Sequence, residues 1–440
     1  MRIINDLNAA RQFVTRSRSL TEREVSPQLL ADLVKLFGEA LTPEAATTRI
    51  IASVRARGDA ALHQWSQQIE NVSLSQFAVS PAEIDAAYDE TPLKVREALA
   101  HAAQRIRAFH EKQARRSWLD WADDGSALGQ MIRPLARVGV YVPGGRAPLP
   151  SSLLMAVVPA QVAAVREIIV CSPPTNGGQV APVILAAAKV AGITQVFALG
   201  GAQAIAALAY GTESVPRVDK IVGAGGLFVT LAKRQVYGVV GIDGLYGPTE
   251  TLLIADDSAD PAWVAADLLA QAEHDPLASA VLITTSEALA QAVCAQVEQQ
   301  SAHAPRRAII AQSLAAQGAI LVVNTLDEAL ELANTYAPEH LCLLVREAWS
   351  LVGKVQNAGG VFVGHQSSEA LGDYVVGPSH IMPTSATARF GSPLNVNEFQ
   401  KLISVFALSD DAAHALADTA LTLAEAEGLS AHANAIRIRQ

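Results

Sequence analysis

Short apolar, β-branched segments alternate with helical stretches along most of the chain after about residue 126. The predicted strands are Val138–Val142, Ile168–Cys171, Gln195–Leu199, Lys220–Val222, Val281–Thr284, Ala319–Val323, His340–Val345 and Gly360–Val363. A helix is predicted after each of the first four of these strands, over 150–164, 180–191, 202–210 and 227–236. Because this alternation implies crossover connections, we predict a mostly parallel, doubly wound α/β architecture. The strands suffice for two α/β units with a seam near 240–260.

The first 120 residues carry a helical pattern instead. Thr42 and Pro43 indicate the start of a helix that Gly58 ends, and Ser80 with Glu83 has the form of a capping box. A longer helix after these has an apolar stripe with polar positions between. No residue here has an evident chemical role, so we predict a helical arm that packs on the α/β body or on a second subunit.

We predict four segments from these patterns. They are a helical arm over 1–120, an α/β domain over 121–245, a second α/β domain over 246–378 and a small C-terminal region over 379–440. The C-terminal region is polar and rich in loops at first, and it is predicted to be helical over 410–427.

The composition fits a soluble globular protein with a large interior, since 50% of its 440 residues are hydrophobic and 17% are charged. No apolar run reaches the roughly 18 to 20 residues that a bilayer-spanning helix needs. The start, Met1–Asp6, lacks the apolar core of a signal peptide. We therefore expect a cytoplasmic protein with no membrane partner.

Charge and cysteine content argue against two further classes of protein. The net charge of −10 disfavours a phosphate-backbone partner, and no basic stripe with interleaved aromatic residues is present. We therefore expect no nucleic-acid partner. The three cysteines, Cys171, Cys294 and Cys342, lie far apart without a C-x-x-C motif. This argues against a disulfide framework and against a thiolate zinc site.

Four glycine-containing turns are candidates for strand-end loops. They are Pro143–Gly145, Gly200–Gln203, Gly223–Gly226 and Tyr246–Glu250. Glycine lets a backbone approach a ligand closely and leaves N–H groups pointing from a helix start, which suits a pyrophosphate. None is a complete G-x-G-x-x-G motif and no acidic residue is placed for a ribose, so a single turn of this kind is usually a loop. Several at the strand ends of one sheet favour a dinucleotide crevice in an incomplete Rossmann-like domain.

The helix predicted over 260–276 carries a candidate metal-binding pair. Asp260 has the position of its N-cap, and Pro276 stops it. Gln271 and His274 are three residues apart, so their side chains would share one face of the last turn. They can offer an amide oxygen and an imidazole nitrogen to one cation. The alternative is a solvated helix end, because charged residues flank His274.

Glu339 and His340 follow Pro338 at the point where a helical run ends and a strand begins. A carboxylate beside an imidazole supplies two proton-transfer groups of different basicity. Because neighbours in a regular strand face opposite ways, joint action requires an irregular backbone, which Pro338 favours. The alternative is a solvated carboxylate next to a satisfied histidine at a strand start.

Two further candidate ligands, Asp373 and His432, lie toward the end of the chain. Taken singly, Asp373 suits a cap or turn and His432 suits the surface. Together with Gln271 and His274 they would complete four N and O ligands, a set that suits zinc or a similar divalent ion. A set scattered over about 160 residues cannot be inferred from spacing alone.

Five segments of the chain resemble those of histidinol dehydrogenases. They are Gly139–Gly145, Gly200–Gly211, Gln271–Pro276, Ala337–Leu341 and Glu427–His432. The resemblance runs in order through nearly the whole chain and is weakest before about residue 100. It implies the last steps of histidine biosynthesis, in which L-histidinol, two NAD and water give L-histidine through the aldehyde.

The resemblance also implies the chemical roles of matching residues. His340 would take the hydroxyl proton as hydride leaves for NAD, and Glu339 would then activate water for attack on the aldehyde. Zinc would orient the substrate more than activate water. The zinc ligands that the resemblance implies are Gln271, His274, Asp373 and His432.

Further contacts follow from the same resemblance. The implied substrate contacts are Thr249, His380 and Glu427, together with His340 and the zinc ligands. The implied NAD contacts are Tyr141, Gln203 and the position of Gly226. In the family, the residues matching Glu427 and His432 come from the partner subunit, so a homodimer with shared active sites is expected.

The chain departs from the family pattern around this chemistry. Gly226 stands where the family generally has an Asn that bonds NAD, and Thr249 stands where it has Ser. Ser379 replaces an Asn before His380, and Ser367–Ser368 replaces a Thr-Pro. Two alternatives therefore stay open. One is a divergent enzyme that oxidises another small polar alcohol, such as an amino alcohol or a sulfonated diol; the other is a non-catalytic module that binds zinc and a ligand.

Overall fold

The computed structural model describes residues 1–16, 25–144, 148–175 and 177–440, and the chain divides into two compact units. The first unit comprises Met1–Gln113 with Ala136–Phe399, and the second comprises Ala114–Leu135 with Gln400–Gln440. The first unit contains a six-stranded and a five-stranded sheet, and the second contains a three-stranded sheet.

The described residues form fourteen strands, β1 to β14. In chain order they are Arg2–Ile4, Trp118–Trp121, Ala127–Pro134, Arg137–Tyr141, Glu167–Ser172, Val196–Ala198, Lys220–Val222, Gly241–Ile242, Glu250–Ala255, Ser279–Thr284, Ala319–Val322, His340–Leu344, Gly360–Val363 and Gln400–Ala407.

The described residues also form eighteen α-helices, α1 to α18. In chain order they are Leu7–Thr15, Pro27–Phe37, Pro43–Arg57, Asp59–Trp65, Pro81–Glu90, Leu93–His110, Pro150–Val162, Pro182–Val190, Gly201–Tyr210, Leu227–Val236, Pro261–Ala272, Glu287–Ser301, Arg307–Gln317, Leu326–Tyr336, Trp349–Val352, Glu369–Tyr374, Asp410–Ala426 and Ser430–Arg437. A π-helical turn, Ser66–Glu70, continues α4.

The six-stranded sheet has the order β1-β11-β10-β9-β12-β13, and every neighbouring pair is parallel. Its central strands β9 and β10 are buried along their whole length because apolar clusters cover both faces. Residues of α1 and α14 belong to one cluster, and residues of α11, α12 and α13 belong to the other. Such burial explains why these strands are continuous apolar runs instead of alternating ones.

The five-stranded sheet has the order β6-β5-β4-β7-β8 and is also parallel throughout. One face packs on a cluster that includes residues of α3, α4, α9 and α10. Helices α7, α8, α9 and α10 follow β4, β5, β6 and β7 in turn. The carboxyl ends of these strands therefore meet at one edge, the edge at which open α/β sheets bind ligands.

The second unit pairs β14 with β3 and β3 with β2, all antiparallel. Helices α17 and α18 pack on each other in the same unit. Many large apolar side chains of this unit are exposed. They are Trp118, Leu119, Trp121, Leu128, Leu402, Ile403, Phe406, Leu408, Leu416, Leu423, Leu429 and Ile438.

The predicted mostly parallel α/β class is confirmed, and each of the eight predicted strands and four predicted helices is present within two residues at either end. Three predicted helix starts are confirmed by side-chain caps, at Thr42, at Ser80 with Glu83, and at Asp260. Local propensity and capping chemistry therefore carried most of the element assignment.

Three parts of the sequence prediction were incomplete. The expected seam near 240–260 contains β9, a central strand whose first residue, Glu250, was assigned to a predicted glycine turn. The predicted helical arm over 1–120 begins with the strand Arg2–Ile4, which pairs with β11 in the six-stranded sheet. The antiparallel sheet of the second unit was also not foreseen. The division into four segments stays a prediction.

Within the described residues, no helix combines the length and the apolar character needed to cross a bilayer.

Candidate active site

The last residues of α11 include the first predicted ligand. The Asp260 side chain caps this helix, and apolar residues bury one of its faces. Gln271, in the final turn, is only 1% exposed, whereas His274 is exposed. The helix ends at Ala272, so His274 lies beyond it and the two side chains do not share the last turn as predicted. The His274 imidazole nevertheless lies near enough to His380 to influence its charge.

The Thr249 hydroxyl links Gln271 to Glu339. Its Oγ1 donates to Glu339 Oε2 at 2.6 Å and lies 2.7 Å from the Gln271 amide. Glu339 Oε2 also accepts from the backbone N–H of Glu250 at 2.9 Å. Burial raises the pKa of the Glu339 carboxyl, and contacts with His340, Thr249 and Glu250 offset only part of that rise. Two donors therefore fix one oxygen of a buried carboxyl group.

The Gln271 amide also lies 2.7 Å from Glu369 Oε1. A contact this short needs a proton, and the amide nitrogen supplies it, because the opposite amide orientation would set this nitrogen 2.7 Å from the Glu250 N–H, which also donates. Burial, partly offset by His340, raises the pKa of Glu369 to about 7. When the amide nitrogen donates, its oxygen accepts from the Glu250 N–H at 2.7 Å and would have to leave it to bind a cation.

His340 begins β12 and is 3% exposed. Its Nδ1 lies 3.1 Å from the Glu250 carbonyl oxygen, which only accepts, so Nδ1 carries the proton of the neutral ring. Its Nε2 is buried without a hydrogen-bond partner in the described part of the chain and lies 3.8 Å from Asp373 Oδ1. Burial lowers the pKa of His340, but the carboxylates of Glu369, Glu339 and Asp373 outweigh it and raise the pKa to about 9.

The backbone before His340 is irregular, as predicted from Pro338. Helix α14 ends at Tyr336, and Ala337 has a φ of 50°, in the left-handed region. Glu339 precedes the strand and so escapes regular alternation, and its Oε2 lies 3.6 Å from His340 Nδ1. The carboxyl group and the imidazole therefore reach the same space.

Asp373, in α16, lies beside the buried His340 and the partly buried His380. His380 Nδ1 donates to the Asp373 carbonyl oxygen at 2.8 Å and lies 3.9 Å from Asp373 Oδ1. Its Nε2 lies 3.0 Å from the Ser152 hydroxyl in α7. Burial lowers the pKa of His380, and Asp373 offsets part of that decrease. The structure thus brings Asp373, His340 and His380 into one cluster.

The donor chemistry of this cluster fits a divalent cation. Amide, carboxylate and imidazole groups are zinc-type N and O donors. His340 Nε2 and Glu369 Oε2 are buried without hydrogen-bond partners among the described residues, so the cluster contains unsatisfied polar atoms. The described residues contain no group of three or more His, Cys, Asp or Glu side chains arranged to hold a metal ion. Convergence of the four predicted ligands stays a prediction.

A cavity of about 580 Å³ lies at the carboxyl ends of β4, β5 and β7. Its lining includes three of the four predicted glycine turns, through Gly144, Gly225, Gly226 and Gly247. Gly145, at the end of the first turn, lies outside the described residues. Asp275 and Pro248 also line this cavity, which we name the strand-end crevice. It has the position predicted for a dinucleotide.

Two of the three predicted cofactor residues line the strand-end crevice. Tyr141 does so, and its hydroxyl accepts from the Gly201 N–H at 3.2 Å. Gly226 precedes α10, and a Cβ at this position would meet nothing within 4 Å, so there is room for the side chain that the family carries. Gln203 is fully buried and faces a separate cavity of about 310 Å³.

The last two predicted site residues lie in the second unit. Glu427 follows α17, and His432 lies in α18. Both are exposed. Their contribution to a site stays a prediction.

Sequence reasoning gave no role to Glu369 or Ser152. Glu369 lies four residues before Asp373 in one helix, and carboxylates at this spacing share a helix face, so the spacing was a usable signal. Ser152 begins an otherwise apolar helix and carries no such signal. Its contact with His380 depends on the tertiary fold.

Comparison with known proteins gives one consistent family. The family model of histidinol dehydrogenase matches residues 39–440. The histidinol dehydrogenase of Deinococcus radiodurans is 51% identical over 435 residues, covering 98% of this chain and 99% of the relative. That of Moorella thermoacetica is 52% identical over 393 residues, covering 89% and 93%. The crystal structure of histidinol dehydrogenase from Elizabethkingia anophelis has a TM-score of 0.90 at 33% identity, covering 99% of this chain and 96% of that one.

The bridging hydroxyl of Thr249 gives a testable prediction. We expect Thr249→Val to lower the thermal unfolding midpoint, because losing the partner of a buried polar group typically costs about 1–3 kcal/mol. Thr249→Ser keeps the hydroxyl and serves as the matched control, with a midpoint near that of the wild type. Differential scanning fluorimetry of the three proteins measures this. A valine variant as stable as the serine variant would contradict the bridge.

Proposed function

The chain belongs to the histidinol dehydrogenase family, and we propose that it oxidises L-histidinol to L-histidine with a zinc ion and two NAD per turnover. Relatives that are 51% and 52% identical and matched over most of their length support the substrate. The observation that carries the proposal is the buried Glu339–His340 pair, placed beside Asp373 and next to the strand-end crevice.

In the first oxidation, His340 would accept the substrate's hydroxyl proton at Nε2. Its Nδ1–H donates to the Glu250 carbonyl, which leaves the Nε2 lone pair in the buried site. The pKa of about 9 favours imidazolium, because three carboxylates surround the ring. A cation bound to Asp373 would neutralise part of the negative charge around His340. The pKa of His340 would then fall toward the range in which a general base works best.

In the second oxidation, Glu339 would take a proton from the water that attacks the aldehyde carbon. Burial raises the pKa of Glu339, which moves its basicity toward neutral pH. Thr249 and the Glu250 N–H hold one carboxyl oxygen and so orient the group. The resulting hydrate would give a hydride to the second NAD and a hydroxyl proton to a base of the site, which leaves the carboxyl group of the product.

The residues that would bind zinc and NAD follow from the family resemblance and from the geometry of the site. Zinc, bound by Gln271, His274, Asp373 and the partner subunit's His432, would supply a fixed point that orients the substrate's nitrogen atoms. NAD, in the strand-end crevice against Tyr141 and Gly226, would supply the hydride acceptor.

We infer that the active form is a homodimer in which each chain lends Glu427 and His432 to the other. Both side chains are exposed in the second unit. The same unit exposes large apolar side chains, among them Trp121, Phe406 and Leu423. Exposed apolar surface of this extent is typical of protein–protein contact, and a second copy of the chain would cover it.

Thr249 and Gly226 favour one alternative within the same reaction class. The methyl group of Thr249 adds bulk beside the Glu339 carboxylate, and Gly226 removes an amide from the crevice wall. A smaller polar alcohol, such as an amino alcohol or a sulfonated diol, is therefore the second candidate substrate.

A steady-state comparison tests the substrate and the metal together. NADH absorbance should rise faster with L-histidinol than with an amino alcohol or a sulfonated diol at equal concentration. Chelator treatment should abolish the rate, and added zinc should restore it. Much faster turnover of the diol would contradict L-histidinol as the substrate and would support the alternative polar alcohol. Turnover unaffected by complete zinc removal would refute the metal assignment.

A second experiment tests Glu339. We expect Glu339→Gln to lower kcat by about 10²- to 10⁴-fold, since the amide keeps the acceptor oxygen for Thr249 but cannot take a proton. The exposed Glu347→Gln is the matched control and should leave kcat unchanged. NADH binding, followed by fluorescence, should persist in both variants. Near-normal kcat in Glu339→Gln would remove this residue from the chemistry.

Mixed dimers test the shared site. Glu339→Gln and His432→Ala should each be inactive alone. In a mixed dimer one site carries both substitutions, while the other combines an intact Glu339 with an intact His432. Equal mixing with subunit exchange should therefore restore about a quarter of the wild-type activity, because half of the dimers are mixed and each has one good site.

The control for that experiment mixes each variant with itself under the same exchange conditions. No recovery in the mixed sample, with exchange confirmed by native mass spectrometry of a tagged subunit, would show that His432 acts within its own chain or not at all.

A further inference from the structure

A buried ion pair joins α10 to the segment after β8. Lys233 is 2% exposed, and its side chain pairs with the Asp243 carboxylate, which is buried to the same degree. Neither residue belongs to the catalytic cluster or to the contacts that the family resemblance implies. The pair lies behind the wall of the strand-end crevice.

The pair binds both backbone polar groups of a single residue. Asp243 Oδ2 accepts from the Gly223 N–H at 2.7 Å, and Lys233 Nζ donates to the Gly223 carbonyl oxygen at 2.9 Å. Asp243 Oδ1 also accepts from the Gly244 N–H at 2.8 Å. One ion pair therefore restricts the rotation of the peptide groups on both sides of Gly223.

Gly223 is a residue whose position has little freedom. Its φ is 108°, in a region that L side chains rarely adopt, and a Cβ there would lie 2.2 Å from the Tyr141 carbonyl oxygen. The turn is thus pressed against the end of β4. Its next residues, Ala224, Gly225 and Gly226, line the strand-end crevice together with Tyr141.

The same pair also adjoins a second segment of the crevice lining, through Tyr246. Lys233 Nζ lies 4.9 Å from the centre of the Tyr246 ring, and Thr230, in the same helix as Lys233, donates its hydroxyl to the Tyr246 carbonyl at 2.9 Å. Gly247 and Pro248, which follow, line the crevice. The next residue is Thr249, the bridge to Glu339, so two segments of the lining adjoin one buried pair.

Stability alone does not account for such a pair. Desolvation of two charges consumes most of their attraction, and apolar replacements of similar volume are often as stable or more so. What an apolar pair cannot reproduce is the set of hydrogen bonds to the backbone of Gly223 and Gly244. The contribution specific to these charges is therefore geometric.

We propose that Lys233 and Asp243 are positioning residues that preset two segments of the strand-end crevice, Gly223–Gly226 and Tyr246–Pro248, for the dinucleotide. The inference rests on the proposed use of NAD at this crevice. It predicts that loss of the pair weakens NAD binding more than it changes kcat, because the catalytic cluster itself is left in place.

The test compares variants of the full-length protein by NADH fluorescence titration, KM for NAD, kcat and thermal midpoint. Lys233→Met should raise the Kd for NADH and the KM for NAD by about 10- to 100-fold, a loss typical of removing an outer support of a binding site. The matched control is Lys220→Met. Lys220 is the first residue of β7, whereas Gly223 directly follows the last one. Lys220 also pairs with a carboxylate, that of Glu398, and in the described part of the chain its side chain forms no hydrogen bond with a residue that lines the crevice. Its loss should lower the midpoint and leave NADH affinity unchanged.

A double variant separates positioning from folding. Lys233→Met with Asp243→Leu leaves no buried charge and should melt near the wild type, yet it should still bind NADH weakly. Hydrogen exchange of the cofactor-free protein should quicken in peptides covering 220–247 of both Lys233 variants. Wild-type NADH affinity in the double variant, or equal losses in Lys233→Met and Lys220→Met, would overturn the proposal. Failure of the wild type to bind NADH would overturn the proposed function itself, and this inference with it.

Discussion

The parallel pairing of β9 with β12 is the constraint on which the site depends. His340 lies opposite Thr251 in this register, which places Glu339 against Thr249 and the Glu250 N–H. On the other side, a Cβ at Gly359 would come within 2.5 Å of the Glu339 carbonyl oxygen, so the neighbouring chain closes tightly there. A slip of one residue would turn His340 to the opposite face of the sheet and separate it from its carboxylates.

The register concentrates negative charge around one imidazole. Glu339, Glu369 and Asp373 each place an oxygen within 4 Å of His340, in a space that is mostly shielded from water. Desolvation of carboxylates is costly unless positive charge or protons compensate for it. Burial of its carboxyl group raises the pKa of Glu369, and the three surrounding carboxylates raise the pKa of His340. A polar substrate with cationic nitrogen atoms would therefore find a complementary field here.

The fold was readable from the sequence where local rules decide the outcome. Caps such as Asp260, and short β-branched runs between helices, predicted most elements of both parallel sheets. The strand Glu250–Ala255 was missed because its first residue, Glu250, was assigned to the preceding glycine turn. The strand Arg2–Ile4 was missed because its partner is distant in sequence and only the assembled sheet provides it.

The site was readable only in part, for the same reason. The Glu339–His340 pair is local, and it lies where a helix ends and a strand begins, as the sequence predicts. Three of the four glycine turns line the strand-end crevice, whereas Gln203 of the fourth faces a separate cavity. The contact of Asp373 with His340 is a product of tertiary packing that no spacing encodes, and family resemblance was the only guide to it. The ion pair of Lys233 with Asp243 had no sequence signal, because two charged residues ten positions apart are ordinarily solvated.

The pairing of β1 with β11 bears on biosynthesis: on the ribosome, Arg2–Ile4 emerges about 300 residues before Ala319–Val322. Contacts of such long range form slowly and late. The strand Arg2–Ile4 therefore has no partner in its sheet until Ala319–Val322 has been synthesised.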